Sequence, residues 1–231
     1  MRQTPCSACA RQRTPVGAVT ESIMNEAAQG FSVVAAQTRT DADRLSQFGA
    51  GNIAVTGSVK FDITPPDEAV EKGKLLKKCI GNRPVLMCAS TRDGEENLIL
   101  DALDHLDKRA LLLLVPRHPQ RFSEVADQIQ ARKIRMMKRS QLQNLSSDII
   151  PDDVRILLGN SMGEMFMYYA ACDVAFIGGS LLKLGGQNLI EASALGKPVL
   201  IGPHTFNFEA ITKDAISTGA AIRIQTASEM M

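Results

Sequence analysis

Residues 173–202 read DVAFIGGSLLKLGGQNLIEASALGKPVLIG, and their reading decides the fold. DVAFIGG (173–179) is an apolar run closed by two glycines, the pattern of a strand buried on both faces. Residues 188–195 carry a helical period, and KPVLIG (197–202) is a second buried strand. Strands of this kind alternating with helices build a parallel sheet with right-handed crossovers.

The same alternation extends in both directions. Upstream, PVLMCAS (84–90), ALLLLVP (110–116), KIRMMK (133–138) and VRILLG (154–159) read as strands, with helices expected over 67–80, 94–107, 119–131 and 162–171. Downstream, a helix is expected over 207–218 and a last strand at AAIRIQ (220–225). Before the break at Thr64-Pro65-Pro66, FSVVAAQ (31–37) reads as a buried strand, TRTDADRLSQFG (38–49) as a helix with a glycine stop, and NIAVTG (52–57) as a strand. Residues 1–30 show neither period and are expected to be irregular. The fold class is α/β, a doubly wound parallel sheet. Such sheets bind ligands at the carboxyl ends of their strands.

Composition narrows the function. Of 231 residues, 45% are hydrophobic and 22% charged, a soluble globular balance, and a net charge of +1 leaves no nucleic-acid footprint. No apolar run approaches the ~18 residues of a membrane span, and the N-terminus MRQTPCSACARQRTP lacks the apolar core of a secretory signal. The cysteines are Cys6, Cys9, Cys79, Cys88 and Cys172. The odd count, with three in or beside apolar segments, fits reduced thiols in a cytoplasmic protein. Cys6 and Cys9 form a C-x-x-C pair without a second ligand pair, and the three histidines lack metal spacing, so no metal site is expected.

Three helix starts share one chemistry: Asp93 and Glu96, Ser161 and Glu164, Asn188 and Glu191 each set a short polar residue three positions before a glutamate. That is the spacing of a capping box. Capping does not require Gly178, Gly179, Gly185 and Gly186, however. Glycines are used where φ is positive or where a ligand approaches the backbone, and a glycine turn opening a helix is an anion site. The pattern is neither G-x-G-x-x-G nor the P-loop. Ser180 and Gln187 could add donors. Glu191 either points to a sugar hydroxyl or serves only the helix, and a nucleotide sugar would satisfy both halves of such a site. Arg117, after a four-leucine strand, is placed to pair a phosphate, with His118 a weaker candidate. In GPHTFNF (202–208), Phe206 and Phe208 are expected as core anchors and Asn207 as an N-cap. Lys60 is read as an exposed lysine, with a phosphate contact as the alternative.

Five stretches together resemble the bacterial 3-deoxy-D-manno-octulosonic acid (Kdo) transferases of lipopolysaccharide assembly: VTGSVKFD (55–62), ASTRDGEE (89–96), VPRHPQRF (115–122), GNSMGEMFMYYAACDVAFIGGS (159–180) and GGQNLIEASALGKPVLIGPHTFNF (185–208). The likeness covers roughly residues 31–225. It implies a GT-B glycosyltransferase that moves Kdo from CMP-Kdo to a lipid A precursor (lipid IVA), with inversion and no required metal or cofactor. It implies donor contacts by Ser90, Thr91, Arg117, Met162, Gly163, Glu164, Gly179, Ser180, Asn188 and Glu191, beside the glycines Gly178, Gly185 and Gly186. The full-length enzyme would work at the cytoplasmic face of the inner membrane, touching it through its first domain.

On this resemblance, residues 31–64 are a remnant of the first, acceptor-side domain, and 65–231 are the second, donor domain without its final helices. Gln187 stands where many members have histidine. No catalytic residue is assigned within the chain, because the general base is expected in the first domain, and the chain alone is expected to be cytoplasmic and inactive. The alternatives are a truncated module that binds a CMP-sugar without catalysis, or another GT-B enzyme such as a nucleotide-sugar epimerase.

Overall fold

The computed structural model describes residues 15–57 and 62–231. The readings made for Cys6, Cys9 and Lys60 lie outside the described residues. The chain divides into two compact units, Met1–Asp62 and Ile63–Met231.

In the first unit, helix α1 (Pro15–Gly30) precedes strand β1 (Val34–Ala36), helix α2 (Arg39–Gln47) and strand β2 (Ile53–Val55), with β1 and β2 paired in parallel. Residues 15–30 are therefore helical where an irregular segment was expected. Proline at the first helical position costs no hydrogen bond, and the Ala, Glu, Gln and Met content carries the helix to Gly30. FSVVAAQ is strand over three residues only, and Phe31 is 62% exposed. A buried seven-residue strand needs a partner along its whole length, and β2 supplies three pairing positions. Helix α2 begins as its sequence predicts: the Thr38 hydroxyl accepts from the Asp41 N–H at 3.1 Å.

In the second unit, helix α3 (Asp67–Ile80) leads into strand β3 (Val85–Thr91), helix α4 (Glu95–Asp101), strand β4 (Leu111–Pro116), helix α5 (Phe122–Ala131), and strands β5 (Met136–Lys138) and β6 (Ile156–Leu158). Helix α6 (Met165–Ala171), strand β7 (Val174–Ile177), helix α7 (Ile190–Ala194), strand β8 (Val199–Ile201), helix α8 (Glu209–Ser217), strand β9 (Ala221–Arg223) and helix α9 (Ala227–Met230) follow. The strands form one parallel sheet in the order β5-β6-β4-β3-β7-β8-β9.

Alternation along the strands explains the layers. Val85, Met87, Ala89, Leu111, Leu113 and Val115 pack into the core shared with α3, α6, α7 and α8. Leu86, Cys88, Leu112 and Leu114 pack into the opposite core with α4, α5 and α9. Each buried leucine contributes about 1.5–3 kcal/mol by leaving water. Helix α3 has Asp67 and Glu68 in its first turn and Lys77 and Lys78 in its last, matching the helix dipole, and stops at Gly81 with φ +79°. Gly73 lets α3 approach α6 closely, because a Cβ there would lie 2.7 Å from the Met167 carbonyl oxygen.

The topology fixes where the site must be. The chain leaves β3 for α4 on one face and leaves β7 for α7 on the other. These neighbouring strands therefore open a crevice at their carboxyl ends, the switch point of a doubly wound sheet. Among the described residues no helix is long and apolar enough to cross a membrane, and Cys79, Cys88 and Cys172 are buried free thiols.

Candidate functional site

The carboxyl edge of the sheet carries, in spatial order, the loops after β6, β4, β3 and β7. The donor contacts implied by the resemblance fall on these four loops, the end of β3 and the first turn of α7. Their side chains divide into those spent on the fold and those left open.

Strand β3 ends in a bulge between Ala89 and Thr91, and Ser90 takes φ +54°, a left-handed conformation rare for a residue with a Cβ. Among the described residues its hydroxyl has no partner. Thr91 is buried instead and donates to Glu96 Oε1 at 2.8 Å. Arg117 follows β4, its N–H bonded to the Thr91 carbonyl at 2.9 Å, and its exposed guanidinium makes no ion pair among the described residues. Across β3 stands Glu191, half-buried and without a hydrogen bond among the described residues. Burial raises the Glu191 carboxyl above its ordinary range, and the Arg117 charge opposes that shift. Ser90, Arg117 and Glu191 therefore supply a hydroxyl, a cation and a carboxylate around the end of the central strand.

The glycine turn is built differently from a free anion site. Glu95, wholly buried, accepts from Gly179 N–H at 2.6 Å and from Leu181 N–H at 2.9 Å, and also from Arg92 N–H at 3.0 Å. Gly178 permits contact between backbones, since a Cβ there would lie 2.6 Å from Ser90 O and Thr91 Cα. Gly185 and Gly186 take φ +90° and +79°. A Cβ on Gly185 would lie 2.6 Å from the Phe206 ring. Ser180 is buried, donating to the Ile177 carbonyl at 2.5 Å and accepting from Gly202 N–H at 2.8 Å, so it ties the β7 turn to the β8 turn.

None of the three capping-box spacings closes into a capping box. Gly94 is the N-cap of helix α4, leaving Asp93 exposed and paired with Arg121 at 3.1 Å, while Glu96 turns inward to Thr91 and Arg121. Glu164 is itself the N-cap position of α6, and its carboxylate bonds Ser161 and pairs with Arg139 at 2.9 Å. Tyr168 also meets Ser161, leaving Met162 (67% exposed) and Gly163 (φ +76°) as the open part of that loop. The Asn188 side chain accepts from Ile190 N–H at 3.0 Å, but Glu191 does not reach back. In the β8 loop, Phe208 packs on the core as expected, whereas Phe206 is 63% exposed. Asn207 donates to the Leu184 carbonyl instead of capping α8, because the chain turns back there to seat the Gly185 turn.

Glu95 is the important residue that sequence reasoning missed, and Glu96, read there as a partner of Asp93, serves Thr91 and Arg121 instead. The signal was present: both precede Ile99 and Leu100 by three to five positions, on the stripe that α4 buries. Burial raises the Glu96 carboxyl, and Thr91 and Arg121 oppose the shift.

A family model described as 3-Deoxy-D-manno-octulosonic-acid transferase (kdotransferase) matches residues 8–63. The likeness thus extends N-terminal of residue 31, where the sequence reading had begun it. A 3-deoxy-D-manno-octulosonic acid transferase of Bordetella pertussis is 47% identical over 206 residues, covering 87% of this chain and 47% of the relative. The chain spans about half the length of the curated relatives it matches. The solved C-terminal CMP-Kdo binding domain of WaaA from Acinetobacter baumannii is 34% identical with a TM-score of 0.64, covering 70% of this chain and 84% of that one. Anabaena Alr3699/HepE in complex with UDP and glucose, 17% identical with a TM-score of 0.50 over 92% of this chain and 54% of that one, shares the fold. The seven-stranded parallel sheet is thus of the GT-B type, and the chain belongs to the 3-deoxy-D-manno-octulosonic acid transferase family.

Proposed function

We propose that residues 63–231 bind the CMP-Kdo donor of an inverting glycosyltransferase that adds Kdo to a lipid A precursor in lipopolysaccharide assembly. The observation that carries this reading is the unpartnered set Ser90, Arg117 and Glu191 at the switch point of a chain 34% identical to a CMP-Kdo binding domain. Arg117 supplies the charge that an anionic donor needs. Glu191 is held where it can accept from a sugar hydroxyl, and Ser90 adds a donor from the central strand. The open Met162–Gly163 loop and Asn188 border the same edge and complete the donor surface.

The base that deprotonates the acceptor hydroxyl belongs, in this reading, to the first domain, of which residues 31–64 form a part. The enzyme acts at the cytoplasmic face of the inner membrane. The test is calorimetric titration of the 231-residue chain with CMP and with UMP, beside Glu191→Ala. CMP should bind in preference to UMP, with affinity reduced about tenfold by the substitution. A folded sample that ignores CMP would overturn the reading.

A further inference from the structure

Four backbone donors of the glycine turn are taken up by the fold itself. Gly178 N–H goes to the Ala89 carbonyl, Gly186 N–H to the Gly179 carbonyl, and Gly179 and Leu181 N–H both go to Glu95. A turn that aims two N–H groups at one point is an anion-binding concavity, and here the anion belongs to the chain itself. Glu95 is wholly buried, so its carboxylate excludes a second anion from the same place by charge and by volume. The turn is also pressed against β3 with no room for a side chain at Gly178. Among the polar groups that make no hydrogen bond at this edge, the Ser90 hydroxyl and the Arg117 guanidinium lie on β3 and just after β4.

We infer that Glu95 is a positioning residue that fills the Gly179 and Leu181 N–H pair, clamps the turn on β3, and leaves a bound donor's phosphoryl group to be read by Ser90 and Arg117. This rests on the donor-binding reading above. The role is distinct from helix capping, since two of the three N–H groups Glu95 holds are 84 and 86 residues away in sequence.

A nitrogen-15-labelled chain titrated with CMP tests it directly. The amide signals of Gly179 and Leu181 should stay nearly still, the Arg117 side-chain signal should move, and Arg117→Ala should raise the CMP dissociation constant about tenfold. Largest shifts at Gly179 and Leu181 would overturn the inference, because the phosphoryl group would then own the pair. A second arm needs no CMP: Glu95→Ala vacates the pair, so acetate should raise the melting temperature of the variant and not that of the wild type. A folded Glu95→Ala chain indifferent to acetate would also overturn it. If that variant does not fold, the wild-type amide shifts decide alone. If the folded wild type ignores CMP, the donor-binding reading fails, and the acetate arm still decides the role of Glu95.

Discussion

Thr91 Oγ1 donates to Glu96 Oε1 at 2.8 Å, with both residues buried at the carboxyl end of the central strand. This bond helps hold a charge that burial disfavours. The folded-state pKa of Glu96 is raised, so its contribution to stability is full below the unfolded carboxylate range and is lost as pH rises through the raised value. Thr91→Val removes the hydroxyl at nearly constant shape and raises that pKa further. The variant should lose about 1–3 kcal/mol at pH 7 and clearly less at pH 4. Urea denaturation at the two pH values checks this, and an equal loss at both would refute it.

Two glycines separate close approach from backbone conformation. At Gly178 a Cβ would sit 2.6 Å from Ser90 O and Thr91 Cα, both backbone atoms. Gly178→Ala should therefore cost about 1–3 kcal/mol, lowering the melting temperature by roughly 3–10 °C. Gly196 has φ +64° and nothing within 4 Å of its Cβ position, so Gly196→Ala meets only left-handed strain, about 1 kcal/mol. Thermal denaturation of both variants should show the larger drop at Gly178.

Ser90 carries the opposite trade. Its φ of +54° costs about 1–2 kcal/mol for an L side chain. Glycine relieves that strain while adding about 0.5–1 kcal/mol of chain entropy. Ser90→Gly should leave the melting temperature unchanged or slightly higher. On the donor-binding reading it should also weaken CMP about three- to tenfold by removing the hydroxyl. A variant destabilised by several degrees would show that Ser90 is structural.

The buried thiols give a chemical test of the core. Burial pushes the Cys79, Cys88 and Cys172 thiols up, Cys172 to about 12, so each is protonated near neutrality. In a Cys6→Ser, Cys9→Ser background, a disulfide reagent at pH 8 should label no cysteine in the native chain and all three after guanidinium unfolding. Rapid labelling of the native protein would mean that the two cores open readily.

Much of the fold was legible because its cues are local. The apolar runs at 84–90, 110–116 and 173–179 are buried strands, and α3 spans the expected residues 67–80, since periodicity, caps and glycine stops act within a few residues. Helix α1 was missed because its apolar and polar residues do not segregate sharply. The strand over 31–37 was overextended because an apolar run does not reveal whether a partner exists to cover it.

The sequence by itself determined the elements of the second unit, the parallel sheet, and the edge to which Ser90, Arg117 and Glu191 belong, because strand ends follow from local pattern and parallel sheets bind at their carboxyl ends. Only the tertiary structure decided which polar groups remain unspent there. Glu95 meets Gly179 across 84 residues, and Glu96 meets Arg121 across 25. Such partners are set by strand order and by the need to satisfy every buried donor and charge, a condition of the whole packed molecule that no short stretch contains.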